Sequence, residues 1–183
     1  MDYFEYWSQM KTAIDAVPHE QVIEFQSLIL ELPSSQGQVL TIGNGGSAST
    51  AEHASCDLSK GLKNAIPDAK YRSTCLTSNS SLLTAWSNDS SYEEALANLV
   101  VTFGTSNDIL LAISGSWNST NVLRSVHAAK AMGIFTVALT GFDGGQLAKI
   151  VDLEIRTESY DMQVVENLHL AIIHSLVKEC IDK

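Results

Sequence analysis

Several features that mark particular classes of protein are missing from this chain. Its 183 residues include 11 basic side chains against 21 acidic ones, which gives a formal net charge of −10. Nucleic-acid-binding proteins usually carry a basic face, so this charge balance argues against that class. No stretch approaches the ~20 apolar residues of a membrane span, and the acidic, aromatic N-terminus does not resemble a secretory signal. We therefore expect neither a nucleic-acid nor a membrane partner.

Cysteine is scarce as well. The three cysteines are Cys56, Cys75 and Cys180, and none has a second cysteine at C-x-x-C spacing. An odd and scattered set fits reduced thiols better than a disulfide framework. We therefore expect a cytoplasmic protein.

Strand-like and helix-like segments alternate along most of the chain. The predicted strands cover residues 38–42, 72–76, 108–113, 135–139 and 151–156. Each is followed by a helical pattern, and such alternation with apolar strands predicts a parallel sheet covered on both faces. We expect an α/β fold, a three-layer sandwich with a five-stranded, flavodoxin-like sheet over residues 37–183. Ligands of such sheets bind beyond the carboxyl ends of the strands.

Two amphipathic helices precede the first strand. Residues 2–17 and 20–32 place apolar side chains at spacings of three and four, and Pro18 and Pro33 are expected to bound the second helix. The pattern predicts a helical hairpin over residues 1–33 whose exposed apolar side makes a subunit contact. With this hairpin included, we expect the 183 residues to form a single domain.

Two loops rich in small residues follow the first and third predicted strands. The first reads Gly43-Asn44-Gly45-Gly46-Ser47, and the second runs from Ser114 to Asn121. Neither matches the dinucleotide pattern G-x-G-x-x-G or the P-loop pattern that ends in G-K-[ST], so NAD and ATP are poorly supported. Glycines let the backbone approach an anion, and the N–H groups of a following helix point at it. The two loops therefore predict a phosphorylated ligand at one edge of the sheet.

Histidine and carboxylate side chains occur at helical spacing in two places. His53 and Asp57 are four residues apart, and Glu166 and His174 are eight apart, so each pair shares a helix face. His169 lies off the face of the second pair. Two imidazoles and two carboxylates can form a divalent metal site or a general acid/base set. A helix histidine is also commonly a surface or core residue, and both interpretations stay open.

These motifs together resemble the sugar-isomerase (SIS) domain family, and within it the phosphoheptose isomerases. The resemblance covers nearly the whole chain, from the glycine loop with His53, through Leu139-Thr140-Gly141-Phe142-Asp143-Gly144-Gly145, to Glu166-Asn167-Leu168-His169 and His174. It implies an aldose–ketose isomerase that converts sedoheptulose 7-phosphate to D-glycero-D-manno-heptose 7-phosphate through an enediol, for lipopolysaccharide or capsule synthesis. It also implies a homotetramer with active sites between subunits, and often a zinc ion.

The resemblance also implies roles for individual residues. Substrate binding falls to the two loops and to one acid beyond them, namely Asn44, Gly45, Ser47, Asp89, Ser114, Ser116 and Ser119. The metal or catalytic set is His53, Asp57, Glu166 and His174. His174 would be the acid, and either Asp57 or Glu166 would be the base.

The chain departs from the family pattern at some of these positions. Asp57 stands where the family usually has Glu, Glu166 where it usually has Gln, and Trp117 where it usually has Gly. Two other functions therefore stay open beside the enzyme. One is a non-catalytic SIS tetramer that binds the replication initiator protein, and the other is a sugar-phosphate-binding module. The two histidines and two carboxylates favour the enzyme, because a scaffold has no need of them.

Overall fold

The computed structural model describes residues 2–64, 69–116 and 118–182. The described α-helices are α1 (Tyr3–Asp15), α2 (His19–Ser35), α3 (Gly46–Lys60), α4 (Ser80–Asp89), α5 (Tyr92–Phe103), α6 (Thr120–Ala131) and α7 (Met162–Asp182). The strands are β1 (Val39–Gly43), β2 (Ser73–Cys75), β3 (Ile109–Ser114), β4 (Phe135–Gly141) and β5 (Leu153–Thr157). Trp117, at which the sequence departs from the family, lies outside the described residues.

The five strands form one all-parallel sheet in the order β2-β1-β3-β4-β5. This is the flavodoxin-like order, so the predicted fold class is confirmed. In the pairing of β1 with β3, Gly43 lies opposite Ile113. The loops that follow these two strands therefore leave the same edge of the sheet side by side.

The core lies on both faces of the sheet. Along β3, Leu111 and Ile113 face α2, α3 and α7, whereas Leu110 and Ala112 face α5 and α6. All four side chains are fully buried. Because burial of a leucine or isoleucine contributes about 1.5–3 kcal/mol, a strand with no polar face is stable only when both of its faces are covered by helices.

Strand ends differ from the prediction by one or two residues, and two helical predictions need correction. The second helix does not stop before Pro33 but continues to Ser35, with Gln36 in the left-handed conformation at its end. Pro33 has no N–H to donate to the carbonyl of Ile29, so the last turn of the helix continues without that bond. The helical pattern predicted after the fourth strand forms only a 3₁₀ turn, Leu147–Lys149. Gly144 and Gly145 precede it with positive φ angles of 76° and 52°, which a helix cannot accommodate.

The two N-terminal helices pack against α7 rather than closing tightly on each other. Met10 and Ala13 of α1 form a small buried cluster with Leu168 of α7. A cavity of about 640 Å³ lies between α1, α2 and α7, and its lining is mostly apolar, including Trp7 and Ile172. The predicted hairpin is therefore open on its apolar side. Among the described residues, no helix is both long enough and apolar enough to cross a membrane.

Candidate functional site

The glycine loop connects the end of β1 to the start of α3. Gly45 has a φ of 53°, in the left-handed region that favours glycine. A Cβ atom on Gly43 would lie 2.5 Å from the backbone of Ser47, so this position also requires glycine. Thr41 donates a hydrogen bond of 2.8 Å to the carbonyl of Ala51, which fixes α3 against β1. The first backbone N–H groups of α3 are therefore directed toward the glycine loop, at the edge of the sheet.

The serine loop lies beside the glycine loop, between β3 and α6. Ser114 is buried at the end of β3, and the hydroxyls of Ser116 and Ser119 are 2.9 Å apart. The two loops and the start of α7 line a cavity of about 240 Å³, with Asn44, Gly45, Gly46, Ser47, Ile113, Ser114, Gly115, Ser116, Ser119, Met162 and Glu166 in its wall. The structure therefore brings together all the predicted phosphate-loop residues.

Asn44 ties the two loops together. Its side chain and that of Asn121 form a reciprocal amide pair, with both N···O distances at 2.9 Å. The hydroxyl of Tyr92 donates a further bond of 2.7 Å to Oδ1 of Asn44. The sequence motifs indicated no site role for Tyr92 and placed Asn121 only at the end of the serine loop. The available signal was the position of Asn121 in the first turn of the helix that follows the serine loop.

His53, Asp57 and His174 form a second cluster, farther along α3 and α7. The Nε2 atoms of the two histidines are 3.0 Å apart. Oδ2 of Asp57 lies 3.4 Å from Nε2 of His53 and 3.6 Å from Nε2 of His174. The imidazoles are about half exposed, so the cluster is accessible to a ligand.

This cluster is a candidate metal centre. Its three ligand atoms lie within 4.8 Å of one another. Ligands about 2.0–2.1 Å from a tetrahedral zinc ion are about 3.3 Å from each other, which is close to the three separations found here. Two imidazole nitrogens and one carboxylate oxygen are also ligands that zinc accepts in catalytic sites. The residues present therefore fit the ion.

Glu166 is not part of this cluster within the chain, contrary to the predicted set of four ligands. A Cβ atom on Gly46 would lie 2.4 Å from a carboxylate oxygen of Glu166, so this side chain lies over the N-terminus of α3. In α7, Glu166 and His174 are about 12 Å apart along the axis. Their shared face runs from the loop cavity to the histidine cluster, so each side chain contacts a different site.

Asp89 also lies apart from the loop cavity. It is the last residue of α4, it is exposed, and its Oδ1 accepts a hydrogen bond of 2.9 Å from the side chain of Asn88. Its contact with the sugar stays a prediction.

His169 has a structural environment. It is fully buried, and its Nε2 lies 3.0 Å from the carbonyl oxygen of Thr140, to which it donates. Its Nδ1 has no hydrogen-bond partner among the described residues. Burial lowers the pKa of His169 to about 4, although the bond to Thr140 opposes this shift. His169 therefore remains neutral and anchors α7 to the end of β4.

Comparison with known proteins gives matches over most of the chain. The SIS domain family matches residues 2–141. A phosphoheptose isomerase from Helicobacter pylori (strain Shi470) is 37% identical over 156 residues, which is 85% of this chain and 80% of that relative. The structure of phosphoheptose isomerase GmhA from Neisseria gonorrhoeae has a TM-score of 0.87 at 29% identity and covers 98% of this chain and 95% of its own. That of a phosphoheptose isomerase from Francisella tularensis has a TM-score of 0.88 at 29% identity, with coverages of 99% and 95%.

The burial of His169 predicts a specific pH dependence of stability. Above pH 6.5 this imidazole is neutral in both the folded and the unfolded chain. As the pH falls from 6.5 to about 4, the unfolded chain takes up a proton that the folded chain does not. The free energy of unfolding should therefore fall by up to about 1.4 kcal/mol per pH unit from this residue. Urea unfolding of the wild type and His169→Gln between pH 4 and 7 measures the difference. Parallel pH profiles for the two proteins would show that His169 is not held neutral.

Proposed function

Because the chain belongs to the SIS domain family, we propose that it is an aldose–ketose isomerase that converts sedoheptulose 7-phosphate to D-glycero-D-manno-heptose 7-phosphate. One observation carries this proposal. Two adjacent loops line a cavity at one end of α3 and α7, and two imidazoles and a carboxylate meet farther along the same helices. A sugar phosphate has two groups that match these two sites, a phosphate for the loop cavity and a reactive carbonyl for the histidine cluster.

The phosphate end would bind in the loop cavity. Its described lining contains hydroxyls and backbone N–H groups but no lysine or arginine. Hydroxyl donors and the positive end of a helix can hold a phosphate without a cationic side chain. Ser47, Ser116 and Ser119 are the hydroxyls that we assign to it.

The carbonyl end would lie at the histidine cluster. His53 follows Ser47 by six residues, a rise of about 9 Å along α3. In a heptose 7-phosphate the carbonyl at C1 or C2 is at the opposite end of the carbon chain from the phosphate. An extended substrate can therefore reach both sites at once.

The reaction needs two proton transfers on carbon and two on oxygen. We assign the carbon transfers to Asp57, whose carboxylate would take a proton from C1 of the ketose and return it to C2. His174 would donate a proton to the oxygen on C2 as the enediol forms, and then accept the proton from the oxygen on C1. The carbonyl thus moves from C2 to C1 with no net gain or loss of protons.

The residues of the cluster would also hold a zinc ion. His53, Asp57 and His174 are the ligands we propose, each through one atom, which leaves a coordination position for substrate, as in catalytic zinc sites. The second carboxylate oxygen of Asp57 and the second ring nitrogen of His174 would then carry out the proton transfers. When bound, the ion would supply Lewis-acid polarisation of the sugar carbonyl.

The exposed apolar surface of the N-terminal helices supports a homotetramer. Tyr3, Phe4 and Trp7 are 70%, 80% and 54% exposed. Together with the open cavity between α1, α2 and α7 they form an apolar face that a monomer would leave in water. We propose that other copies of the chain cover it, which would also bring neighbouring subunits close to the sites on α7.

The cytoplasmic location of the protein stays a prediction.

Substitution of the proposed acid and base tests the chemistry. Asp57→Asn and His174→Ala should each lower kcat with sedoheptulose 7-phosphate by at least about 100-fold, because a lost general acid or base has that effect. Product formation is measured directly, with His127→Ala on the exposed face of α6 as the matched histidine control. Full turnover in either variant would exclude its assigned role, and binding without conversion by the wild type would favour the sugar-phosphate-binding module.

Kinetics of Glu166→Gln distinguish Asp57 from Glu166 as the base. Since Glu166 lies in the loop cavity, its negative charge should oppose the phosphate. The variant should therefore keep kcat and lower KM severalfold. Steady-state kinetics at low ionic strength give both constants. Loss of turnover in Glu166→Gln, with normal turnover in Asp57→Asn, would transfer the base role to Glu166.

Metal binding is tested apart from turnover. Metal-free protein should bind about one equivalent of zinc per chain in calorimetric titration, with release of protons as the imidazoles are metallated. His53→Ala should weaken this binding by more than about tenfold, while His127→Ala leaves it unchanged. Equal zinc affinity in the wild type and His53→Ala would place the ion elsewhere.

The assembly is tested by adding charge to the apolar face. Wild-type protein should have a mass about four times that of the chain in light scattering. Trp7→Glu should reduce this mass, because it would bury a charge in the contact. Thr12→Glu adds the same charge to an exposed position on another side of α1 and should leave the mass unchanged. A monomeric wild type would contradict the proposal.

A further inference from the structure

The hydrogen bonds of Asn44 leave its side chain little capacity for a ligand. Oδ1 accepts from the hydroxyl of Tyr92 at 2.7 Å and from Nδ2 of Asn121 at 2.9 Å. Nδ2 donates to Oδ1 of Asn121 at 2.9 Å. An amide oxygen has two lone pairs, so Oδ1 is saturated and a single N–H remains. The carboxamide of Asn44 is therefore committed to the protein.

A backbone group fixes the direction of every bond in this network. The N–H of Val122 donates to Oδ1 of Asn121 at 3.0 Å, and a backbone N–H cannot act as an acceptor. Nδ2 of Asn121 must then face Asn44 as a donor, so the atom that receives it is Oδ1 of Asn44. Tyr92 can consequently only donate to the same oxygen. The network thus has one consistent arrangement, without amide flips.

The bonds connect three elements that are distant in sequence. Asn44 lies in the glycine loop, Asn121 in the first turn of α6, and Tyr92 at the start of α5. The loop has glycine at three of its first four positions, Gly43 to Gly46, and glycine loses more conformational freedom on ordering than any other residue. A loop of this kind that is disordered in the free protein would weaken ligand binding by the cost of ordering it.

We infer that Tyr92 and Asn121 are positioning residues, which clamp Asn44 so that the glycine loop has its anion-binding shape before any ligand arrives. The identity of the ligand rests on the proposed function, whereas the clamp rests on the hydrogen bonds alone. Tyr92 is the more informative of the two residues. It is 50% exposed, and Ser91 caps α5 through the N–H of Glu94, so the helix does not need the tyrosine hydroxyl.

Tyr92→Phe in the ligand-free protein tests the clamp without any substrate. The variant removes one hydroxyl and keeps the ring. Amide hydrogen exchange in a peptide covering residues 43–47 should become at least about twofold faster, while exchange in the strands is unchanged. Tyr71→Phe is the matched control. The hydroxyl of Tyr71 is buried, belongs to a residue outside the loop, and has no hydrogen-bond partner among the described residues. Unchanged loop exchange in Tyr92→Phe would overturn the inference.

Ligand binding supplies a readout that a merely structural role would not change. Loss of one hydrogen bond should weaken binding of inorganic phosphate, and raise KM, by about two- to tenfold. The kcat should stay within about twofold, since a bound substrate restores the loop. In an Asn44→Ala background the effect of Tyr92→Phe should vanish, because the two side chains act through one contact. Equal effects of Tyr92→Phe in both backgrounds, or a lower kcat with unchanged KM, would contradict the clamp.

The two proposals fail in different ways. If the wild-type protein does not convert sedoheptulose 7-phosphate, the proposed isomerase activity is wrong. Hydrogen exchange of the loop and binding of phosphate would still test the clamp. Normal turnover together with identical exchange and KM in Tyr92→Phe would defeat the clamp alone.

Discussion

The parallel pairing of β1 with β3 is the constraint on which the rest of the site depends. Gly43 and Ile113 are opposite each other in the sheet, so the glycine loop and the serine loop leave it as neighbours. If β1 paired with β4 instead, the two groups of donors would lie in separate places. The chain carries a net charge of −10, so its overall field does not attract an anion. Under the proposed function, affinity for phosphate would come from N–H and hydroxyl dipoles of both loops that point at the same position.

The second site follows from the same starting point. Gly46 at the start of α3 and Glu166 in α7 are in contact at the cavity. Seven residues farther along α3 is His53, and eight residues farther along α7 is His174, which are rises of about 10 and 12 Å. The two helices are in contact at this point and run in the same direction from it. Residues at similar distances along the two helix axes therefore lie close together. This explains why the imidazoles meet although 121 positions separate them in sequence.

Local pattern was sufficient to predict most of this arrangement. Apolar strands, small-residue loops and helical spacing predicted the sheet, its order and the position of the two small-residue loops at one edge. The errors concern contacts between distant segments. Helical spacing placed Glu166 and His174 on one face but could not show that Glu166 meets α3 at Gly46 instead of the histidines. Nothing near Tyr92 in sequence indicates that its hydroxyl reaches Asn44, because that bond depends on how α5 packs beside β1.

We propose that one substrate spans both sites, with its phosphate in the loop cavity and its carbonyl at the histidines. Diffraction from crystals grown with zinc and sedoheptulose 7-phosphate would show whether the substrate binds in this way. We expect phosphate density between Ser47 and Ser119, an anomalous zinc peak between His53 and His174, and density for a sugar chain that joins them. Phosphate density at another surface, with solvent alone in the loop cavity, would contradict it.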